Sequence, residues 1–112
     1  MSAPDTPSDT LARLEATIAQ RRQADPSSSY VARLNAKGIK KIAQKVGEEG
    51  TETVIAALAE DEAALVGEAA DLIFHLMVLL NAKDVPFADV LAELDRREGV
   101  SGIAEKAARA QD

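Results

Sequence analysis

Apolar residues recur along this chain at three- and four-residue steps, the spacing that lines one face of a helix. Leu11, Leu14, Glu15 and Ile18 follow it in a first helix, expected to start from Ser8 or Asp9 as N-cap and to run to Asp25-Pro26, where Pro26 disfavours helical geometry in the residue before it. Ser27, Ser28 and Ser29 make a polar connection and offer an N-cap for a segment from Tyr30 that pauses at Lys37-Gly38. Ile39, Ile42, Ala43, Val46, Val54, Ala57 and Leu58 then predict a long amphipathic helix to about Glu60. Gly47 and Gly50 lie inside it, each costing about 1 kcal/mol relative to Ala, which suggests close approach of another backbone or of a ligand. Asp61 and Glu62 give an acidic start to a helix reaching Ala82, and Asp84 and Pro86 start another to about Arg97, closed by Glu98-Gly99. Val100 to Asp112 reads as a helical turn or two with a frayed end. Residues 1–7, with Pro4 and Pro7 among small polar residues, are expected to form a disordered tail, leaving 8–110 as a single domain.

Composition narrows the class. The chain has 112 residues, 46% hydrophobic and only 3% aromatic, so its core must come from Ala, Leu, Val and Ile, which favours an all-α fold. A lone domain of this size buries only about two-thirds of its unfolded surface, so oligomerisation is expected to support it. The net charge of −6 argues against binding nucleic acid or an anionic membrane. With no Cys, a disulfide framework, a thiolate nucleophile and a Cys-based zinc site are excluded. Asp5 and Asp9 stand where an export signal would be basic and then apolar, and the longest apolar run, Leu72 to Leu80, is interrupted by His75 and far shorter than the ~20 residues of a membrane span. A soluble, cytoplasmic protein is the expectation.

The candidate chemistry is concentrated in Glu48-Glu49-Gly50-Thr51-Glu52 and in Glu68-Ala69-Ala70-Asp71. Acids three apart on a helix share a face, so Glu49 with Glu52, and Glu68 with Asp71, each form a two-pronged claw. Two antiparallel helices joined near Glu60 to Glu62 can aim the claws at one another. Leu72, Ile73, Phe74, Leu76, Met77, Val78, Leu79 and Leu80 cover every direction of the later helix, which predicts a buried element with Glu68 and Asp71 at its polar end. Buried carboxylates facing further carboxylates call for a divalent cation, and four oxygen donors favour Mg²⁺ or Mn²⁺ over Zn²⁺. Lys37, Lys41 and Lys45 fall on one stripe leading to the claw, an order that suits a polyphosphate neutralised partly by lysine and partly by metal. No glycine-rich phosphate loop is present, which excludes a P-loop mechanism. Taken singly, the acids and lysines also read as charged surface, in which case the chain is a non-catalytic helical dimerisation module. A di-iron carboxylate bundle would want Glu-x-x-His, whereas His75 follows Asp71 by four.

Glu-Glu-x-x-Glu at Glu48 to Glu52, followed sixteen residues later by Glu-x-x-Asp at Glu68 to Asp71, resembles the signature of the all-α nucleoside triphosphate pyrophosphohydrolases, which include MazG-like enzymes and helical dUTPases. Within them, "SYVARLNAKGIKKIAQKVGEEGTETVIAA", "EAADLIFHLMVLL" and "GVSGIAEKAARA" resemble the phosphoribosyl-ATP pyrophosphatase family across most of residues 29–110. The Lys-Gly-x-x-Lys approach, the Asp-Leu-x-x-His step and the Ser-Gly-x-x-Glu-Lys tail specify that member.

The resemblance implies a four-helix core and a homodimer that uses Mg²⁺ to hydrolyse phosphoribosyl-ATP to phosphoribosyl-AMP and pyrophosphate, the second step of histidine biosynthesis. Glu49, Glu52, Glu68 and Asp71 match the family's metal ligands, and Glu48 matches the first acid of the motif. Glu48, Glu49 and Glu52 are thus the catalytic candidates, and Lys37, Lys41, Lys45 and His75 the candidates for binding phosphate and substrate. Arg33 and Arg109 are candidates for the ribosyl-phosphate end. Some relatives carry a fused phosphoribosyl-AMP cyclohydrolase domain; here the product is expected to pass to a separate protein. The same metal chemistry on another nucleoside triphosphate is the alternative.

Overall fold

The computed structural model describes residues 6–99, in which five helices and no strand occur. Residues 1–5 of the expected tail, the expected turns after Val100 and Arg109 lie outside the described residues.

Helix α1 spans Pro7–Arg21, and Thr6, not Ser8 or Asp9, is its cap. The Thr6 hydroxyl accepts the Asp9 N–H at 3.1 Å while the Asp9 carboxylate accepts the Thr6 N–H at 3.1 Å, a reciprocal box that satisfies two donors at the helix start. The helix stops at Arg21, short of the expected Asp25, because Asp25 belongs to the turn that follows: its carboxylate accepts the Ser27 N–H at 2.9 Å. Helix α2, Tyr30–Lys37, begins as expected, with the Ser29 hydroxyl accepting the Ala32 N–H at 3.2 Å.

Gly38 ends α2 and starts α3, Ile39–Ala59. Its φ of 99° and ψ of 170° lie in a region essentially restricted to glycine. Helix α4, Glu62–Ala82, is capped by the Asp61 carboxylate, which accepts the Ala64 N–H at 2.9 Å. Helix α5, Phe87–Glu98, has Pro86 as N-cap with no side-chain cap of its own. Glu15 supplies one from α1, its carboxylate accepting the Phe87 N–H at 2.7 Å where the helix dipole favours negative charge.

The short turn at Glu60 and Asp61 folds α3 and α4 into an antiparallel hairpin, the dominant helix pair. Helix α1 packs on α4 and α2 on α3. Their core joins Ile18, Val31, Leu34, Ile42, Met77 and Val78, so it covers the early turns of α3 and the late turns of α4. Toward the hairpin turn the helices are bare, with Val54 57%, Leu58 83% and Val66 63% exposed. This corrects the expectation that α4 is buried on every side: α1 and α2 reach only one end of it. A Cβ built on Gly47 or Gly50 meets nothing within 4 Å, so no other backbone among the described residues approaches either glycine.

By length and hydropathy alone α4 could cross a membrane. It nevertheless carries Glu68, Asp71 and His75 and lies packed along α3, the arrangement of a bundle helix.

Candidate metal centre

The hairpin brings Glu49 of α3 to Glu68 and Asp71 of α4, with one carboxylate oxygen from each within 4.8 Å of the others. Glu49 is only 6% exposed, yet its Oε2 has no hydrogen-bond partner, and neither does the buried Oε2 of Glu68. Burial raises the pKa of Glu49, and the neighbouring Glu52 carboxyl adds to this, with Asp71 adding further repulsion. Burial likewise raises Glu68, again reinforced by Glu52, then by Glu49 and Asp71. Glu52 therefore acts on both neighbours, although it is not one of the three acids whose oxygens lie within 4.8 Å of one another.

An all-oxygen donor set with two buried, unpartnered carboxylate oxygens fits a hard divalent cation, which would replace mutual repulsion with attraction. The burial is differently distributed from the sequence expectation. Asp71 is exposed and Glu68 half-buried, because no helix among the described residues covers α4 at that turn, while Glu49 faces inward.

Glu48 is not among the three clustered acids. It is exposed and accepts a hydrogen bond from Gln44 Nε2 at 2.7 Å, with Lys45 Nζ 3.5 Å away. The Gln44 bond, then Lys45 and the charge of Lys41, hold its pKa below the usual carboxylate value. Lys45 also stands 3.7 Å from Glu49, bridging the outward and inward acids. The single lysine stripe needs correction: Gly38 breaks the helix between Lys37 and Lys41, so Lys37 ends α2 while Lys41 and Lys45 lie on α3.

His75 is buried at 5% exposure, and both ring nitrogens are engaged, Nδ1 at 2.7 Å from the Asp71 carbonyl and Nε2 at 2.7 Å from the Tyr30 hydroxyl. Arg33 donates to the Pro26 carbonyl at 3.1 Å and lies over the Tyr30 ring at 5.9 Å.

Two residues not singled out from the sequence act here, Tyr30 and Thr53. The Thr53 hydroxyl lies 2.8 Å from the Glu49 carbonyl and 3.2 Å from the Glu68 carbonyl, so its one proton is offered to the backbone beneath an acid on either helix. The spacing of Thr53 from Glu49 was readable as a helical back-bond, but its reach to α4 has no signal in one sequence. Thr53→Val keeps the shape and loses the tie; a loss of about 1 kcal/mol is expected in urea unfolding of the metal-free protein.

The all-helical architecture and the acids facing across its central hairpin define a fold of the all-α nucleoside triphosphate pyrophosphohydrolase type. Comparison with known proteins is more specific. The phosphoribosyl-ATP pyrophosphohydrolase family matches residues 11–98. The chain is 82% identical over 101 residues to the phosphoribosyl-ATP pyrophosphatase of Novosphingobium aromaticivorans, covering 90% of this chain and 94% of the relative. It is 73% identical over 100 residues to that of Rhizorhabdus wittichii, covering 89% and 94%. For the phosphoribosyl-ATP pyrophosphatase of Zymomonas mobilis the identity is 61% over 101 residues, covering 90% and 94%. The chain belongs to the phosphoribosyl-ATP pyrophosphohydrolase family.

Proposed function

We propose that this protein hydrolyses phosphoribosyl-ATP to phosphoribosyl-AMP and pyrophosphate in histidine biosynthesis, as a cytoplasmic, Mg²⁺-dependent homodimer. Membership of the family and the names of its relatives support the reaction. The observation that carries the chemistry is the pair of buried, unpartnered oxygens on Glu49 and Glu68 beside Asp71.

Glu49, Glu52, Glu68 and Asp71 hold the ion, with Mg²⁺ the natural occupant of an all-oxygen site and Mn²⁺ a substitute. When bound, it offsets polyphosphate charge and makes the attacking water more acidic. Glu48, kept ionised by Gln44 and Lys45, orients that water and accepts its proton as the water oxygen bonds to the α-phosphorus. The bond from the α-phosphorus to the bridging oxygen breaks, and pyrophosphate leaves with its growing charge offset by Lys37, Lys41 and Lys45. His75 serves from behind the acids, with Arg33 on the side of the ribosyl phosphate.

The homodimer rests on the bare half of the hairpin. Val54, Ile55, Leu58, Val66 and Ile73 are all exposed in one chain, and a second copy would bury them. The substrate is a small nucleotide, and neither nucleic acid nor membrane is a partner.

Metal should stabilise the folded state, by about 2.7 kcal/mol when its concentration is ~100 times Kd. The sign of its pH dependence follows from Glu49 and Glu68, whose folded pKa values lie above 4.5. The folded state holds more protons than the unfolded one above 4.5, so these acids make the metal-free protein less stable as pH rises through their folded values. Protons also compete with metal for them. The thermal shift produced by Mg²⁺ is therefore expected to be larger near about pH 8 than near about pH 5; an equal shift at both would contradict the assigned ligands.

Pyrophosphate release by the purified protein, measured for phosphoribosyl-ATP and for ordinary nucleoside triphosphates with Mg²⁺ or with EDTA, tests the reaction. Metal-dependent release confined to phosphoribosyl-ATP is the expected result. Preference for another nucleotide would keep the metal chemistry and overturn the substrate, and no release from any would leave the acids as charged surface.

A further inference from the structure

Tyr30 opens α2, a helix that packs on α1 and α3, yet its hydroxyl reaches His75 of α4. The Asp71 carbonyl can only accept, so Nδ1 of His75 carries the proton in its 2.7 Å contact. In the neutral ring Nε2 is then a lone pair, and the Tyr30 hydroxyl donates to it at 2.7 Å. Burial holds the phenol pKa above its ordinary value, which keeps that donor protonated. The Phe74 ring meets the imidazole edge-on at 5.2 Å and stacks on Tyr30 at 6.2 Å, so it contacts both rings. The far end of this chain of contacts is the backbone of Asp71, one of the three clustered acids.

We propose that Tyr30 is a positioning residue for the acid cluster, acting through His75 to fix the turn of α4 that aims Asp71 at Glu49 and Glu68. It sets metal affinity and, on the reading of the reaction given above, kcat, while leaving KM for the nucleotide nearly unchanged. Tyr30→Phe keeps the ring stack and deletes the one donor among the described residues that reaches the buried His75 Nε2.

The test compares wild type, Tyr30→Phe, His75→Leu and the double variant. Mn²⁺ binding is measured by isothermal titration calorimetry without nucleotide, followed by kcat, KM and thermal midpoint. Tyr30→Phe is expected to weaken Mn²⁺ binding by about 10-fold or more, in the range of lost outer-shell contacts at metal sites, with a matching fall in kcat. In the His75→Leu background the same substitution should have no further effect on Mn²⁺ binding. A Tyr30→Phe protein with a lower thermal midpoint but wild-type Mn²⁺ affinity would overturn the proposal, and so would full additivity in the double variant. If His75→Leu does not fold, the affinity of Tyr30→Phe decides alone. Wild-type protein that binds Mn²⁺ but releases no pyrophosphate would remove the proposed reaction and leave the affinity comparison decisive.

Discussion

Glu52→Gln and Asp71→Asn are each expected to lower pyrophosphate release by at least about 10²–10³-fold, the scale on which enzymes lose turnover when a group stabilising transition-state charge is removed. Each change keeps the shape of the side chain and removes one negative charge from the cluster. Glu52 raises the pKa of both Glu49 and Glu68, so its neutralisation relieves repulsion inside the fold. The metal-free Glu52→Gln protein should accordingly match or exceed the wild-type thermal midpoint while losing metal-induced stabilisation. Loss of activity with stability held or raised separates a damaged site from a damaged fold. Steady-state kinetics, melting curves with Mg²⁺ or EDTA and far-ultraviolet circular dichroism read these effects, and normal turnover in either variant would sink the assignment of the acids.

The second large effect concerns assembly. Val54→Asp and Val66→Asp place a carboxylate on side chains that are 57% and 63% exposed in a single chain, where such changes stay within about 0.5 kcal/mol. Between two copies the same carboxylate would be desolvated without a partner, at a cost of several kcal/mol. An increase in the dimer dissociation constant of about 100-fold or more is expected, since each 1.4 kcal/mol is about tenfold. Sedimentation velocity across a dilution series reads it directly. A wild-type chain that is monomeric throughout, or a Val66→Asp protein that associates as tightly as wild type, would contradict the shared apolar face.

Much of this is legible in the sequence itself. The 3.6-residue spacing and the short link at Glu60 and Asp61 are local signals, and they foretold α3, α4 and their antiparallel pairing. The pairing in turn explains why Glu49 meets Glu68 and Asp71. The start of α1 was missed because Thr6 makes its capping box with Asp9, whereas the familiar pattern has Glu or Gln at that third position. Burial was misjudged for a different reason. Periodicity reports that α4 is apolar all round, but it cannot report whether its cover comes from the same chain. Tyr30 was visible only as the start of a helix, since a hydroxyl meeting an imidazole 45 positions away leaves no periodic trace.

Gly38 constrains what this sequence can become. A Cβ there would meet nothing within 4 Å, so no neighbour excludes a larger residue; the backbone angles alone do. No repacking elsewhere could make the site tolerant. One residue both closes α2 and opens α3, so a replacement bearing a Cβ must either hold a strained φ or give up the break between the two helices. Losing the break would move Tyr30, at the far end of α2, relative to His75 on α4. A single backbone angle thus holds Tyr30 against His75, and with it the brace behind Asp71.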